Sequence, residues 1–365
     1  GLYQCKRSNR MSVLIIAEAG VNHNGDLAMA YRLVDAAVEA GADAIKFQTF
    51  KADKLVTKGA SKAIYQKESS DTDELQHSML KKLELPFEVH YELSDYCTNK
   101  GIQFLSTAFD EESMVFLVDN LGMETLKIPS GDITNGPLLL AHARTKKKMI
   151  ISTGMANLDE IKGALGIVAF GMIGGKNPTR EAFRNAYSSN EGPRILQENV
   201  TLLHCTTEYP APFVDINLNA MKTMRDTFSL PVGYSDHSEG IVVSIAAVAL
   251  GATLLEKHFT LDKMLPGPDH KASLEPEELK EMVKAIRIVE KSMGDGVKVP
   301  QSSEIPNLDV ARKSIVAAQD ISSGDIFTKN NLTVKRPGNG VNPMDYWSLL
   351  GLHSPRPYKI DGMIK

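Results

Sequence analysis

The sequence predicts a closed parallel (β/α)8 barrel, a TIM barrel, followed by a small β-rich domain, and three observations predict it. Eight short apolar, β-branched runs alternate with segments of helical periodicity over about 280 residues. Helical segments stop at a glycine just before the next strand, at Gly41, Gly101 and Gly251. After Met293 the periodicity ends and a Gly-, Pro- and Ser-bearing stretch begins. An open, doubly wound sheet is the alternative reading of the same alternation.

Taken in order, residues 1–10, GLYQCKRSNR, precede Met11, lack the apolar core of a signal peptide and read as an extension. The barrel is expected over 11–293. Its strands are LIIAEAG (14–20), AIKFQT (44–49), FLSTAF (104–109), TLKIPS (125–130), MIISTG (149–154), TLLHCT (201–206), PVGYSDH (231–237) and TLLEKHF (253–259). Helices are expected over 27–42, 158–170, 241–252 and 275–293, where apolar residues recur with a helical period. Between the second and third strands lies a polar insertion, 51–85, whose length suits a mobile flap over the barrel mouth. Residues 294–309 read as a linker. Residues 310–365, with short strands and Ser-Gly and Asn-Asn turns, read as a separate small domain, marginal alone and expected to dock on something larger.

Composition narrows the function classes. Lys and Arg total 41 against 45 Asp and Glu, a net charge of −4, so there is no nucleic-acid footprint and small molecules are the expected partners. No apolar run reaches the ~18 residues of a membrane span. Three cysteines, Cys5, Cys97 and Cys205, are too few and too odd a set for a disulfide framework and suit a reducing, cytoplasmic address.

The last strand poses a chemical question. TLLEKHFT (253–260) places Glu256, Lys257 and His258 inside an otherwise apolar run. Titratable groups in a buried strand are costly unless paired, hydrogen-bonded or bound to metal. In a parallel barrel the catalytic groups come from the carboxy-terminal strand ends, and here every such end is polar: Glu18 and Asn22, Lys46 and Gln48, Ser106 and Thr107, Lys127 with Ser130 and Asp132, Ser152 and Thr153, His204 with Thr206 and Thr207, Ser235 with Asp236 and His237, then Glu256 and His258. Period-two alternation puts Glu256 and His258 on one face, and Ser235 and His237 on one face of the neighbouring strand. A solitary buried histidine is usually a hydrogen-bonded core residue, and His204 is read that way. Two at adjacent strand ends with carboxylates offer an open site for Mn2+, Zn2+ or Mg2+. Lys46 and Lys127 are read as cationic clamps for an anionic substrate, with solvated rim lysines as the alternative. Two further readings remain open: a class I aldolase with a Schiff base on Lys46, Lys127 or Lys257, and a barrel that only binds carbohydrate or ice.

The motifs AEAGVNHNG (17–25), KFQTFKADKL (46–55), STAFDE (106–111), KIPSGD (127–132), STGM (152–155), HCTTEYPAP (204–212), GYSDH (233–237), EKHFTLDK (256–263), PGPDHKAS (266–273) and KRPGNG (335–340) together resemble the sialic acid synthase (N-acetylneuraminate synthase) family, over nearly the whole chain from Met11. The resemblance implies a transferase that condenses phosphoenolpyruvate with N-acetylmannosamine or a related hexosamine and water, releasing phosphate by C–O cleavage. Legionaminic or another nonulosonic acid, made from a 2,4-diacetamido-6-deoxy hexose, is the alternative product. It implies a divalent metal on His237 and His258, manganese first, with magnesium or cobalt as substitutes. It implies that Lys46, Thr107, Lys127, Ser130, Ser152 and Ser235 bind phosphoenolpyruvate. Glu18, Gln48, Tyr209, Glu256 and Asp269 fall on the sugar side and its proton transfers, with Glu18 by the aldehyde oxygen. Asp132 matches the water-directing carboxylate, where some relatives carry Glu, and Thr207 stands where some carry Asn. The last domain resembles the antifreeze-like (SAF) domain, which implies a domain-swapped homodimer with Arg336 reaching the partner's sugar site.

Overall fold

The computed structural model describes residues 12–70 and 73–365, and the extension 1–10 lies outside them. The described chain forms two compact units, one up to Gly294 and one over Asp295–Lys365. Within one or two residues at nearly every end, the eight expected strands are present: β1 (Leu14–Gly20), β2 (Ala44–Thr49), β3 (Gln103–Ala108), β4 (Thr125–Ile128), β5 (Lys148–Ser152), β6 (Val200–His204), β7 (Val232–Asp236) and β8 (Leu254–His258). All pair in parallel in the order β3-β2-β1-β8-β7-β6-β5-β4, and β3 lies beside β4. That circle is a closed barrel, so the open-sheet alternative falls.

Two layers inside the barrel follow from the period-two alternation of the strands. Ile16, Ala44, Leu105, Ile150, Leu203 and Leu254 form a buried apolar layer. Two positions further along the same strands come Glu18, Lys46, Thr107, Ser152, Cys205 and Glu256, all buried. The apolar layer is thus the floor beneath the polar one. On the outer side of the strands, Ile15, Ala17, Ile45, Phe47, Ile151, Leu202, Val232 and Leu255 pack against the helices. The helix Leu27–Ala40 is capped by the Asp26 side chain and closed by Gly41 at φ 81°, where only a residue without a Cβ is unstrained.

The ends of this unit are clasped together. On the last helix, Pro276–Ser292, Arg287 donates to the Val13 carbonyl at 2.9 Å and pairs with Asp43 at 2.6 Å. Asp43 in turn accepts the Ile15 amide at 2.8 Å.

Two segments carry more structure than their sequence showed. The insertion 51–85, expected as a mobile flap over the mouth, contains helices Ala52–Leu55, Ile64–Ser69 and Gln76–Leu83. Met79 and Leu83 are buried with Val21 and Phe50, against Leu55, Leu80 and Phe109. These apolar residues occupy barely two helical turns within a polar stretch, too short a pattern to read as a helix. The expected linker 294–309 ends in a helix, Ile305–Ala311, in the second unit. That unit pairs β9 (Ser314–Ala317) with β10 (Leu332–Lys335) antiparallel around Ile315, Ile321, Phe327, Leu332, Tyr358 and Ile364. Among the described residues, no helix is long and apolar enough to cross a membrane.

Candidate active site

The polar layer opens into a cavity of about 280 Å3 at the carboxy-terminal ends of the strands. It is lined by thirteen of the expected residues: Glu18, Lys46, Gln48, Thr107, Lys127, Ser130, Ser152, Tyr209, Ser235, His237, Glu256, His258 and Asp269. At its centre Glu256 gathers two ammonium groups, Lys127 Nζ at 3.4 Å and Lys46 Nζ at 3.5 Å, and accepts the Ser235 hydroxyl at 2.9 Å. Lys46 also pairs with Glu18 and donates to Thr107 Oγ1 at 2.9 Å.

Burial and charge divide the roles of these groups. Burial lifts the Glu18 carboxyl to about 7, with Lys46 opposing the rise. Burial would also raise Glu256, but Lys127 and Lys46 beside it hold its carboxyl well below the usual carboxylate range. Burial lowers the Lys127 ammonium, partly offset by Glu256. Two lysines face one firmly ionised carboxylate and a second, Glu18, that is only partly ionised near neutrality, a balance that suits an anionic ligand. Burial alone lifts the Asp269 carboxyl to about 6.

The imidazoles stand at one side of this cluster, their ring centroids 5.8 Å apart. His237 Nδ1–H donates to the Thr206 carbonyl at 2.6 Å, which leaves the Nε2 lone pair toward the Tyr209 hydroxyl at 3.2 Å and Ser235 Oγ at 3.4 Å. Burial lowers His237, against the Thr206 carbonyl and Glu256, and lowers His258 to about 3, assisted by its His237 neighbour. Buried His258 Nδ1 and Glu18 Oε1 have no hydrogen-bond partner, a costly state that a ligand would relieve. Gly20 holds these two residues close: β1 bulges between Glu18 and Gly20, and a Cβ on Gly20 would lie 3.3 Å from Glu18 Oε1 and 3.4 Å from His258 Cε1. The two imidazoles, His237 through Nε2 and His258 through its unpartnered Nδ1, can by themselves offer two ligands to a divalent ion of the kind expected. Among the described residues no group of three or more His, Cys, Asp or Glu converges on a metal position, so water or substrate would fill the other places.

A second pocket feature escaped the sequence reading. Gly154 passes so close to β4 and β6 that a Cβ there would meet Thr207 Oγ1 at 2.2 Å, Ser130 Oγ at 2.7 Å and Cys205 Sγ at 3.0 Å. Its amide donates to Ser130 Oγ at 3.0 Å, and Ser152 Oγ and Thr207 Oγ1 are buried without hydrogen-bond partners. Hydroxyls around a bare backbone make an oxyanion cradle, and the only sequence signal for it was Ser-Thr-Gly after a strand.

Three expected residues stand elsewhere. Asp132, in the turn after β4, accepts the Asn135 amide at 2.9 Å and is not in the cavity wall, although Ser130 and Gly131 are. Arg336 belongs to the second unit, is exposed, and donates to the Ala311 carbonyl at 3.1 Å. Lys257, a candidate for a Schiff base, points out of the barrel: its Nζ is fixed by Asp236 at 2.9 Å and the Ser238 carbonyl at 2.7 Å. His204, read as a core histidine, bonds the Ile216 carbonyl at 2.7 Å.

Known proteins share this architecture and its sequence. Residues 33–298 match the model of the NeuB family and residues 312–363 that of the SAF domain. The N,N'-diacetyllegionaminic acid synthase of Campylobacter jejuni is 50% identical over 96% of this chain and 98% of its own. That of Legionella pneumophila is 48% identical over 94% and 91%, and human N-acetylneuraminate-9-phosphate synthase is 36% identical over 92% and 87%. Among solved structures, the N-acetylneuraminic acid synthetase of Leptospira borgpetersenii, in complex with citrate, superposes with a TM-score of 0.66 at 34% identity, covering 84% of this chain and 94% of that one. The chain belongs to the NeuB family and carries a SAF domain after its barrel.

Proposed function

We propose that this protein condenses phosphoenolpyruvate with a 2,4-diacetamido-6-deoxy hexose and water, giving N,N'-diacetyllegionaminic acid and phosphate. The sequence reading placed N-acetylmannosamine first. The two legionaminic relatives, at 50% and 48% identity against 36% for the human N-acetylneuraminate-9-phosphate synthase, favour the alternative sugar. The observation that carries the chemistry is the pair of buried lysines around the firmly ionised Glu256 and the near-neutral Glu18, beside two imidazoles of lowered basicity.

Lys127, Ser130, Ser152 and Thr207 hold the carboxylate and phosphate of phosphoenolpyruvate, with the Gly154 cradle beneath. The aldehyde faces Glu18, His237 and His258. A divalent ion on the two imidazoles, manganese first and magnesium or cobalt in its place, would supply Lewis-acid polarisation there. As carbon 3 of phosphoenolpyruvate forms the new C–C bond, Glu18, poised near neutrality, delivers a proton to the aldehyde oxygen. The cation left at carbon 2 takes up water; Asp132, which stands behind the cavity wall next to Gly131, takes its proton only if the turn after β4 brings the carboxylate to the mouth. The resulting intermediate breaks its C–O bond to phosphate and becomes the 2-keto acid. Arg336 of a second copy reaches the sugar's N-acyl oxygen.

The test is phosphate release with phosphoenolpyruvate and a panel of sugars. Turnover should require the sugar, and 18O placed in the bridging position should leave with phosphate. Label retained in the keto acid, or no turnover with any amino sugar, would sink the reading.

A further inference from the structure

The cavity has two chemically different walls. One, from β4 to β8, presents Lys127, Ser130, Ser152, Ser235, His237, Glu256 and His258. The other, over the ends of β1 to β3 and above Glu18, Lys46, Gln48 and Thr107, presents Val21, Leu55, Val56, Met79, Leu80, Leu83 and Phe109, and among the described residues the insertion that supplies most of it adds no charged side chain to the lining, its polar members being Tyr65, Gln66 and Gln76. Val21, Met79 and Leu83 are buried within the wall, whereas Leu55, Leu80 and Phe109 pack against them and stay partly open.

If the anion sits at Lys127 and the Gly154 cradle and the aldehyde at Glu18 and the imidazoles, the lining left for the far end of the sugar is mainly this wall, with Asp269, Tyr65 and the amides of Gln48, Gln66 and Gln76. We infer that Leu55, Val56, Leu80 and Phe109 set the sugar specificity, admitting a hexose whose outer carbons carry methyl groups, a deoxy carbon 6 and an acetyl, over one that carries hydroxyls. The inference rests on the proposed condensation. A hydroxyl pressed on Leu55, Val56, Leu80 or Phe109 loses its water and gains a partner only where Gln66 or Gln76 reaches it. Apolar pockets reject an added hydroxyl only modestly, by about 10²-fold at best, so the wall grades substrates rather than excluding one.

The experiment compares the 2,4-diacetamido-6-deoxy hexose with N-acetylmannosamine, in the full chain with manganese, for the parent, Leu80→Asn and Val56→Ser. The parent should favour the deoxy sugar by about 10–10²-fold in kcat/KM. Both variants should narrow that ratio several-fold while the KM for phosphoenolpyruvate stays at the parental value. Binding of each sugar alone, followed by saturation-transfer NMR, should show the same narrowing without turnover. Folded variants that keep the parental ratio in both assays overturn the inference. A parent that binds the deoxy sugar preferentially, loses that preference in the variants and yet releases no phosphate leaves the wall's role intact and overturns the proposed reaction instead.

Discussion

His237 and His258 share a depressed basicity, but different neighbours fix them. His237 is oriented by the Thr206 carbonyl, while His258 has a bare Nδ1 beside Glu18. Replacing either by Ala should abolish manganese binding, read directly by electron paramagnetic resonance of the free ion, and lower turnover in parallel. The fold should survive, because each ring faces the cavity rather than the apolar core. Near-parental activity in either variant after dialysis against chelator would remove both residues from the metal site. A second residue, Lys257, shows how a neighbour in sequence differs from a neighbour in space. It sits between Glu256 and His258 yet turns to Asp236 on the other side of the sheet, so its buried charge serves the loop after β7 rather than the chemistry.

At the scale of an element, the β1 bulge has a measurable role. Gly20 has φ 52°, a conformation that costs an ordinary residue about 1–2 kcal/mol, and its missing Cβ leaves room for Glu18 and His258. Gly20→Ala should therefore lose about that much stability by chemical denaturation and drop kcat roughly tenfold, since small displacements of reacting groups are expensive. A parental kcat would show that the bulge does not place Glu18. The strands themselves were legible because β-branched runs and strict alternation are local signals, and the same alternation brought Glu256, His258, Ser235 and His237 to one mouth. The helices of the insertion were not legible because they have few apolar residues of their own, and Met79 and Leu83 are buried against Val21 and Phe50, which lie about thirty or more residues earlier in the chain. The Gly154 cradle was invisible for a related reason: it needs Ser130, Cys205 and Thr207, which only the closed barrel brings within reach of one backbone.

For the whole molecule, acid is the expected weakness. His23, His142 and His270 are fully buried, and burial lowers them to about 3, 4 and 4. A histidine held neutral in the fold but free to protonate when unfolded stabilises fully above its unfolded value of 6.5. That stability drains as pH falls from there toward 4, by up to ~3 kcal/mol for His142 at one pKa unit per ~1.4 kcal/mol. The melting temperature should fall over that window, and His142→Gln should flatten its slope; a slope identical to the parent's would deny His142 any share. Assembly is tested separately. If Arg336 serves a second copy, mixing Arg336→Ala and His237→Ala chains should restore about a quarter of parental activity under random pairing, and no recovery after verified subunit exchange would return Arg336 to its own chain. The clasp of Arg287 on Val13 and Asp43 carries one more consequence. Because the first strand and last helix of the barrel meet there, the point at which the polypeptide enters the ring is a matter of connectivity rather than shape. A circular permutant that joins those ends through a short linker and opens instead at an exposed loop on the opposite side should close the same barrel around the same cavity.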